Sequence, residues 1–528
     1  VSLFQKHLFF YCEHCIIVKK ELQDEKEGDW NMEKIYTSTR NKALARTPKE
    51  AVVKGIAEDG GLFVYDALDT LRLPLQDMMQ MTYEQMAETV LQLLLPDFTE
   101  EEVKDCVENA YKGKFRDEHI TPLHKAGNTN ILELFHGPTC AFKDVGLRML
   151  PQLMSKSLQQ HPDEHVMILT ATSGDTGKAA LEGFLDVPRT GITVFYPDEG
   201  VSNIQRLQMI TTKGSNTCVC AIRGNFDDAQ SNVKRIFQNA QLSARLKEKG
   251  ITLSSANSIN IGRLIPQVVY YVYAYKEMVR TKEITFGEKV NFCVPTGNYG
   301  NVLAGYYAKL MCLPVNKFIV ASNSNNVLFD FLKDGVYDRN RPFYKTISPS
   351  MDILISSNLE RLLYYKSGKD ADYIAQLMNE LEATGRYQVR EDIFTSVRED
   401  FAGGYCDDAA CAQSMREFYE QSGYVMDPHT AIAYKVMKDY EKEDSMHKCV
   451  LLSTASPYKF APAVYEALFN ETIQDEFACM EMLQQKSGSA MPKPLAELAK
   501  MDILHSHLID KDDMPSFVET IGEEIFHG

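Results

Sequence analysis

Val166-Met-Ile-Leu-Thr170 runs directly into Ala-Thr-Ser-Gly-Asp-Thr-Gly (171–177) and from there into a helical stretch opening at Lys178. A short apolar run bounded by turn residues reads as a buried strand, and the small, hydroxylated residues after it read as a loop that opens a helix. The same grammar recurs along the chain. Gly191-Ile-Thr-Val-Phe-Tyr196 ends at Pro197, and Cys218-Val-Cys-Ala-Ile222 is followed by Gly224 and a helical stripe through Ala229, Val233 and Ile236. Val290-Asn-Phe-Cys-Val294 runs into Pro-Thr-Gly-Asn-Tyr-Gly-Asn (295–301) and another helix. Lys317-Phe-Ile-Val-Ala321 continues the series, and Cys449-Val-Leu-Leu-Ser453 closes it. Strands separated by helices predict an α/β fold, doubly wound and mostly parallel, with ligand sites at the strand carboxyl ends.

Around this core, for which the reading takes 116–334 and 426–470, lie four other regions. Residues 32–115 read as a small helical domain with one or two strands. Thr82 with Gln85 and Thr99 with Glu102 make capping boxes ahead of apolar stripes, and Asp59-Gly60-Gly61 turns into a short strand. Residues 335–425 are polar and helical, punctuated by Pro342, Pro349 and Gly403-Gly404, and read as an insertion or lid. The tail, 471–528, reads as helical and acidic. Residues 1–31 do not match the rest of the chain, and Met32 opens a stretch resembling a natural start, so 1–31 is expected to be an upstream extension.

The net charge of −17 has no basic stretch to offset it, which argues against a nucleic-acid partner. No apolar run is long enough to predict a membrane-spanning helix. The 12 cysteines are scattered, several in strand-like contexts, which suits buried thiols in a reducing, cytoplasmic setting. Cys12-Glu-His-Cys15 is a lone CxxC without a second ligand pair, so no metal site is expected.

Three clusters carry candidate chemistry. Leu132-Glu-Leu-Phe-His-Gly-Pro-Thr-Cys-Ala-Phe-Lys-Asp144 places Lys143 between a Gly-Pro turn and a helix start, beside Ala141 and Phe142. Partial desolvation there lowers a lysine pKa from about 10.4 and makes the amine a nucleophile or base. Ser173-Gly174-Asp175-Thr176-Gly177 and Gly297-Asn298-Tyr299-Gly300-Asn301 each lie between a strand and a helix, where backbone amides and the helix N-terminus attract anions. Each such contact contributes about 0.3–1 kcal/mol, so several must converge on a phosphate. The first loop is too short for a P-loop and has Ala179 where magnesium would need a hydroxyl, and no GxGxxG follows the first strand. Ser453-Thr454-Ala455-Ser456-Pro457 puts hydroxyls at the end of the last strand, either capping the turn or facing a heterocyclic nitrogen.

Together these clusters, with Asn257-Ser-Ile-Asn-Ile-Gly-Arg263 and Asp427-Pro-His-Thr430, resemble the threonine synthase family, pyridoxal-phosphate enzymes of the tryptophan-synthase-β-like fold (fold type II). The resemblance spans roughly 32–465. Cys140 stands where the family usually has an aliphatic residue, and Tyr299 where Phe is common. It implies two lobes of parallel sheet with a small N-terminal α+β domain, and Lys143 as the residue holding the cofactor as an internal aldimine. It implies that Gly297, Asn298, Tyr299, Gly300 and Asn301 grip the cofactor phosphate and that Thr454 faces the pyridine nitrogen, leaving it largely unprotonated. Ser173, Gly174, Asp175, Thr176, Asn260 and Arg263 are then candidates for binding the substrate, O-phospho-L-homoserine. The implied reaction releases phosphate and adds water at the β carbon to give threonine, with the enzyme a monomer or homodimer. A phospholyase releasing a 2-oxo acid would share these motifs, and a nucleotide-binding module would use the glycine loops without chemistry.

Overall fold

Two largely parallel sheets carry the molecule, and both reverse their winding where the glycine loops emerge. The computed structural model describes residues 34–159, 163–172, 174–199 and 201–528, apart from the side chains of residues 226 and 227. The expectations for residues 1–31, for Cys12 with Cys15, and for Ser173 fall outside the described residues.

The first sheet has six strands in the order Phe401–Tyr405, Val315–Ser322, Val290–Pro295, Cys449–Ser453, Thr129–Glu133 and Leu123–Ala126. All neighbours are parallel except the last pair. The chain builds outward from Val290–Pro295 on one side and returns on the other with Cys449–Ser453, so the winding reverses between these two strands. The second sheet has five parallel strands in the order His507–Asp510, Thr217–Arg223, Thr190–Pro197, His165–Ala171 and Ile251–Ser254. Here the winding reverses at His165–Ala171. A ligand crevice opens at such switch points because neighbouring loops leave the sheet in opposite directions.

The six apolar runs of the sequence all form interior strands. Two segments differ from their expected structure, and a third strand had no expectation. Phe401–Tyr405, inside the expected insertion, is an edge strand of the first sheet. Its glycines allow close packing: a Cβ at Gly404 would lie 2.5 Å from Val436 Cγ1, and one at Gly403 would lie 3.0 Å from Leu332 Cδ1. His507–Asp510, in the tail, pairs with Cys220–Arg223 as an edge strand of the second sheet. Ile251–Ser254 is that sheet's other edge. An edge strand need not be apolar on every face, so a search for apolar runs passes over such segments.

Near the N-terminus, Tyr36–Ser38, Ala45–Arg46 and Phe63–Tyr65 form a small antiparallel sheet. Helices Tyr83–Leu94 and Glu100–Tyr111 start at Thr82 and Thr99 with both halves of each capping box made. Their apolar stripes join the same hydrophobic core as helix Lys143–Ser157, which is buried along most of its length. That burial anchors the helix whose first residue is Lys143. No helix among the described residues is long and apolar enough to cross a membrane.

Candidate active site

Lys143 owes its position to two sets of bonds. The first ties its segment to the end of strand Cys449–Ser453: Ala141 bridges Ala455, Phe142 N–H donates to Thr454 O (2.8 Å), and Ser456 N–H donates to Cys140 O (3.0 Å). The second closes the Gly-Pro turn onto the helix. Asp144 accepts from Thr139 N–H (2.9 Å) and Thr139 Oγ (2.7 Å). Gly137 is needed here because a Cβ would lie 2.3 Å from Asp144 Oδ2. The helix therefore starts with Lys143 aimed at the crevice and Thr454 beside it.

A buried polar cluster surrounds the amine. Lys143 Nζ donates to Ser350 Oγ (3.1 Å) and lies 3.4 Å from Asp175 Oδ2. Asp175 Oδ1 pairs with Lys459 Nζ (2.9 Å) and accepts from Gln205 Nε2 (3.0 Å). Lys459 completes its set on Thr139 O (2.9 Å) and Gln208 Oε1 (3.2 Å). Gly174, at φ +150°, lets Gln205 approach: a Cβ there would sit 2.4 Å from the Gln205 amide carbon. Burial lowers the Lys143 pKa, and the Lys459 and Arg263 cations lower it further against the pull of Asp175. Burial alone would raise the Asp175 pKa, but Lys459 and Lys143 outweigh it and hold the carboxyl far below the usual range. Asp175 is thus a permanent anion, and Lys143 is the group able to exchange a proton.

Two anion seats open on this crevice. Helix Gly300–Leu310 begins without a side-chain cap after Tyr299, whose φ of +63° turns the loop back on itself. Among the described residues, the amide N–H groups of Gly297, Asn298, Tyr299, Gly300 and Asn301 meet no acceptor. Such amides at a helix start suit a phosphate. The loop is braced from behind: Ser356 Oγ donates to Gly297 O (2.7 Å), Asn358 N–H to Asn298 O (3.1 Å), and Asn301 Nδ2 to Pro295 O (2.9 Å). The second seat is Arg263. Its guanidinium is buried, donates to Ala256 O (3.0 Å), and has no carboxylate partner among the described residues. Burial pushes its pKa down to about 10, so it stays a cation at neutral pH.

The expected residues separate accordingly. Asp175 and Arg263 both act electrostatically on Lys143. Loop 297–301 reaches them through Ser350, whose carbonyl would lie 2.7 Å from a Cβ at Gly297. Thr454 is buried, and its hydroxyl meets no partner among the described residues. Thr176 is half-buried in the first turn of helix Asp175–Phe184. The N–H groups of Gly174 and Gly177 are taken internally by Thr172 Oγ (3.0 Å each), which weakens that loop as an anion cradle. Asn260 is fully buried, with its side chain committed to bonds within the fold. It caps the short helix carrying Arg263 by accepting from Gly262 N–H (2.9 Å), while its amide donates to Val52 O (2.9 Å). Sequence reading missed Ser350, Lys459 and Gln205. Lys459 carried one signal, its place two residues past Pro457 at a strand end; Ser350 and Gln205 carried none.

Comparison with known proteins accounts for this arrangement. The family profile "Threonine synthase N terminus" matches residues 35–111, "Pyridoxal-phosphate dependent enzyme" matches 116–454, and "Threonine synthase, C-terminal" matches 430–502. Human threonine synthase-like 1 is 40% identical over 469 residues, covering 86% of this chain; the chain spans only 62% of that relative's length. The threonine synthase of Pseudomonas aeruginosa is 37% identical over 435 residues, covering 82% of this chain and 90% of that protein. A crystal structure of pyridoxal-phosphate-bound threonine synthase from Brucella melitensis superposes with a TM-score of 0.81 at 33% identity, covering 93% of this chain and 99% of that one. The cofactor is pyridoxal phosphate, and the crevice offers groups of suitable chemistry: a buried amine, a helix start without a side-chain cap, and a hydroxyl at Thr454 that meets no partner among the described residues. From its N-terminal helices to the strand end at Thr454, the chain belongs to the threonine synthase family of pyridoxal-phosphate-dependent enzymes.

Proposed function

We propose that this chain is a lyase converting O-phospho-L-homoserine and water to L-threonine and phosphate. The observation that carries this reading is a buried, low-pKa amine, Lys143, in the same crevice as Arg263, a buried guanidinium without a carboxylate partner. An amine so placed moves protons, and a cation so placed holds a phosphate leaving group.

When bound, pyridoxal phosphate supplies an electron sink that acidifies the carbons next to the substrate amino group. In this reading the 297–301 amides would hold its phosphate, Lys143 would hold its aldehyde, and the Thr454 hydroxyl would serve its ring nitrogen as a neutral partner. Lys143 Nζ takes protons from the substrate α and β carbons and returns protons at the γ and α carbons. Arg263 holds the γ-phosphate as it leaves. Water adds as hydroxide at the β carbon, and the proton that the water gives up goes to the released phosphate. Asp175, fixed as an anion by Lys459, attracts the Lys143 ammonium between transfers.

The test is incubation of holoenzyme with O-phospho-L-homoserine, with phosphate, threonine and 2-oxobutyrate measured together. Equal amounts of phosphate and threonine are expected, and none from Lys143→Ala. Phosphate with 2-oxobutyrate in place of threonine reassigns the chain as a phospholyase. No turnover of this substrate refutes the proposal.

A further inference from the structure

Ser350 comes from a segment with no sequence signal for chemistry, yet its hydroxyl is 3.1 Å from Lys143 Nζ. It lies on the 3-10 turn Pro349–Met351, which is clamped from two sides. On one side Asp352 gathers Thr346 N–H (3.0 Å), Thr346 Oγ (2.7 Å) and the amides of Asn323 (2.8 Å) and Asn325 (3.0 Å). On the other, the Ser350 N–H donates to His429 Nε2 (3.2 Å). A nitrogen that accepts carries no proton, so the His429 proton resides on Nδ1, from which it donates to Asp427 Oδ1 (2.7 Å). Asp427 in turn caps helix Pro428–Tyr440, and the Phe460 ring packs edge-on against the imidazole. The chain Asp427–His429–Ser350 therefore ends on the reacting amine.

A neutral amine has two N–H bonds and one lone pair. Ser350 Oγ and Asp175 Oδ2 lie within reach of both N–H bonds, at 3.1 and 3.4 Å. The remaining direction belongs to the lone pair, which a base or nucleophile must present to its target. We propose that Ser350 is a catalytic residue that, with Asp175, aims the lone pair of Lys143, and that His429, oriented by Asp427, is the positioning residue that holds Ser350 in place. The assignment rests on Lys143 being the reacting amine, as in the proposed function, and is independent of which product is released. The charged groups acting on the amine are Asp175 from helix Asp175–Phe184, Lys459 from the turn Pro457–Phe460, and Arg263 from helix Ile261–Leu264; the Phe142 ring centroid lies 5.3 Å from Nζ.

The test combines Ser350→Ala, His429→Phe and the double variant. Phosphate release from O-phospho-L-homoserine gives kcat and KM. Borohydride fixation of the cofactor, with peptide mapping, identifies the reacting lysine. Competitive labelling of amines in the apoenzyme across pH gives the titration midpoint of Lys143. In Ser350→Ala, fixation stays at Lys143, kcat falls roughly tenfold with KM within about twofold, and the thermal midpoint is unchanged. The labelling midpoint falls, because the ammonium form loses an acceptor. An amine that is easier to deprotonate in a slower enzyme is the signature of lost aim, which a merely structural role would not produce. His429→Phe matches this loss, and the double variant loses no more than either single one. Ser350 sits in a half-buried turn, so its alanine variant carries the test without relying on the buried His429. Unchanged kcat and midpoint in Ser350→Ala, or additive losses in the double variant, overturn the assignment. Fixation to a different lysine overturns the reading of Lys143 instead, which tells the two failures apart.

Discussion

Lys459→Met replaces a buried cation with an apolar side chain of similar length at a point where all three N–H directions are in use. The lysine side chain is fully buried, with Asp175 Oδ1 and Thr139 O each at 2.9 Å and Gln208 Oε1 at 3.2 Å. Methionine fills much of the volume but leaves a buried carboxylate short of its main counter-ion. Removing one partner of a buried pair costs about 3–5 kcal/mol, mostly from the charge left behind, with Gln205 and Lys143 offsetting part of it here. The assay is urea unfolding at neutral pH for wild type, Lys459→Met, Asp175→Asn and the double variant. If the orphaned charge causes the loss, Asp175→Asn in the Lys459→Met background recovers stability, with a coupling of about 2–3 kcal/mol. The Lys143 amine responds too: Lys459 repels its ammonium form, so removing Lys459 raises its labelling midpoint, opposite to the shift expected for Ser350→Ala. A loss below about 1 kcal/mol with additive variants would refute this account of the cluster, because an ion pair so enclosed cannot lose one member silently.

Single contacts carry the other predictions. Gly297→Ala places a Cβ 2.7 Å from Ser350 O, a backbone atom that can yield only if its turn moves; cofactor affinity is expected to fall at least tenfold by spectral titration, with the fold intact by circular dichroism. Arg263→Gln removes the guanidinium and is expected to raise KM for O-phospho-L-homoserine roughly tenfold or more and to abolish competitive inhibition by inorganic phosphate; an unchanged KM would remove Arg263 from the substrate site. Burial raises the Asp144 pKa to about 6 against the hydrogen bonds from Thr139. The folded state thus retains a proton that the unfolded chain releases near 3.9, so this contribution is complete below about pH 4 and is lost as pH rises to 6, a change of about 2–3 kcal/mol. Asp144→Asn is expected to remove that dependence, read as the difference between wild-type and variant urea stability at pH 4.5 and 7; a pH-independent difference would contradict it.

How much of this was legible in the chain depended on where each segment sits. The six apolar runs read as strands of the core lie inside the two large sheets, where both faces are covered and the sequence must be apolar throughout. The four edges of the two large sheets, Phe401–Tyr405, Leu123–Ala126, His507–Asp510 and Ile251–Ser254, escaped that reading because an edge strand is free of the requirement. Gly403 and Gly404 even pointed away from a strand, since their role is to let Leu332 and Val436 pack close. The capping boxes at Thr82 and Thr99 were legible because each closes within three residues.

The same division holds at the site. Lys143, the 297–301 loop and Thr454 stand at strand ends and helix starts, positions that local sequence specifies. Ser350 lies 207 residues from Lys143, and Lys459 lies 320 residues from the Thr139 carbonyl it binds. No local pattern encodes such meetings, because they arise where the two sheets' switch points and the segment before helix Leu359–Lys366 converge. The sequence by itself determined the parallel α/β core, the lysine at a helix start and the glycine loop 297–301, since backbone periodicity and turn chemistry act over a few residues. Tertiary structure alone decided which groups surround the amine, because its charge and direction depend on neighbours brought in by folding.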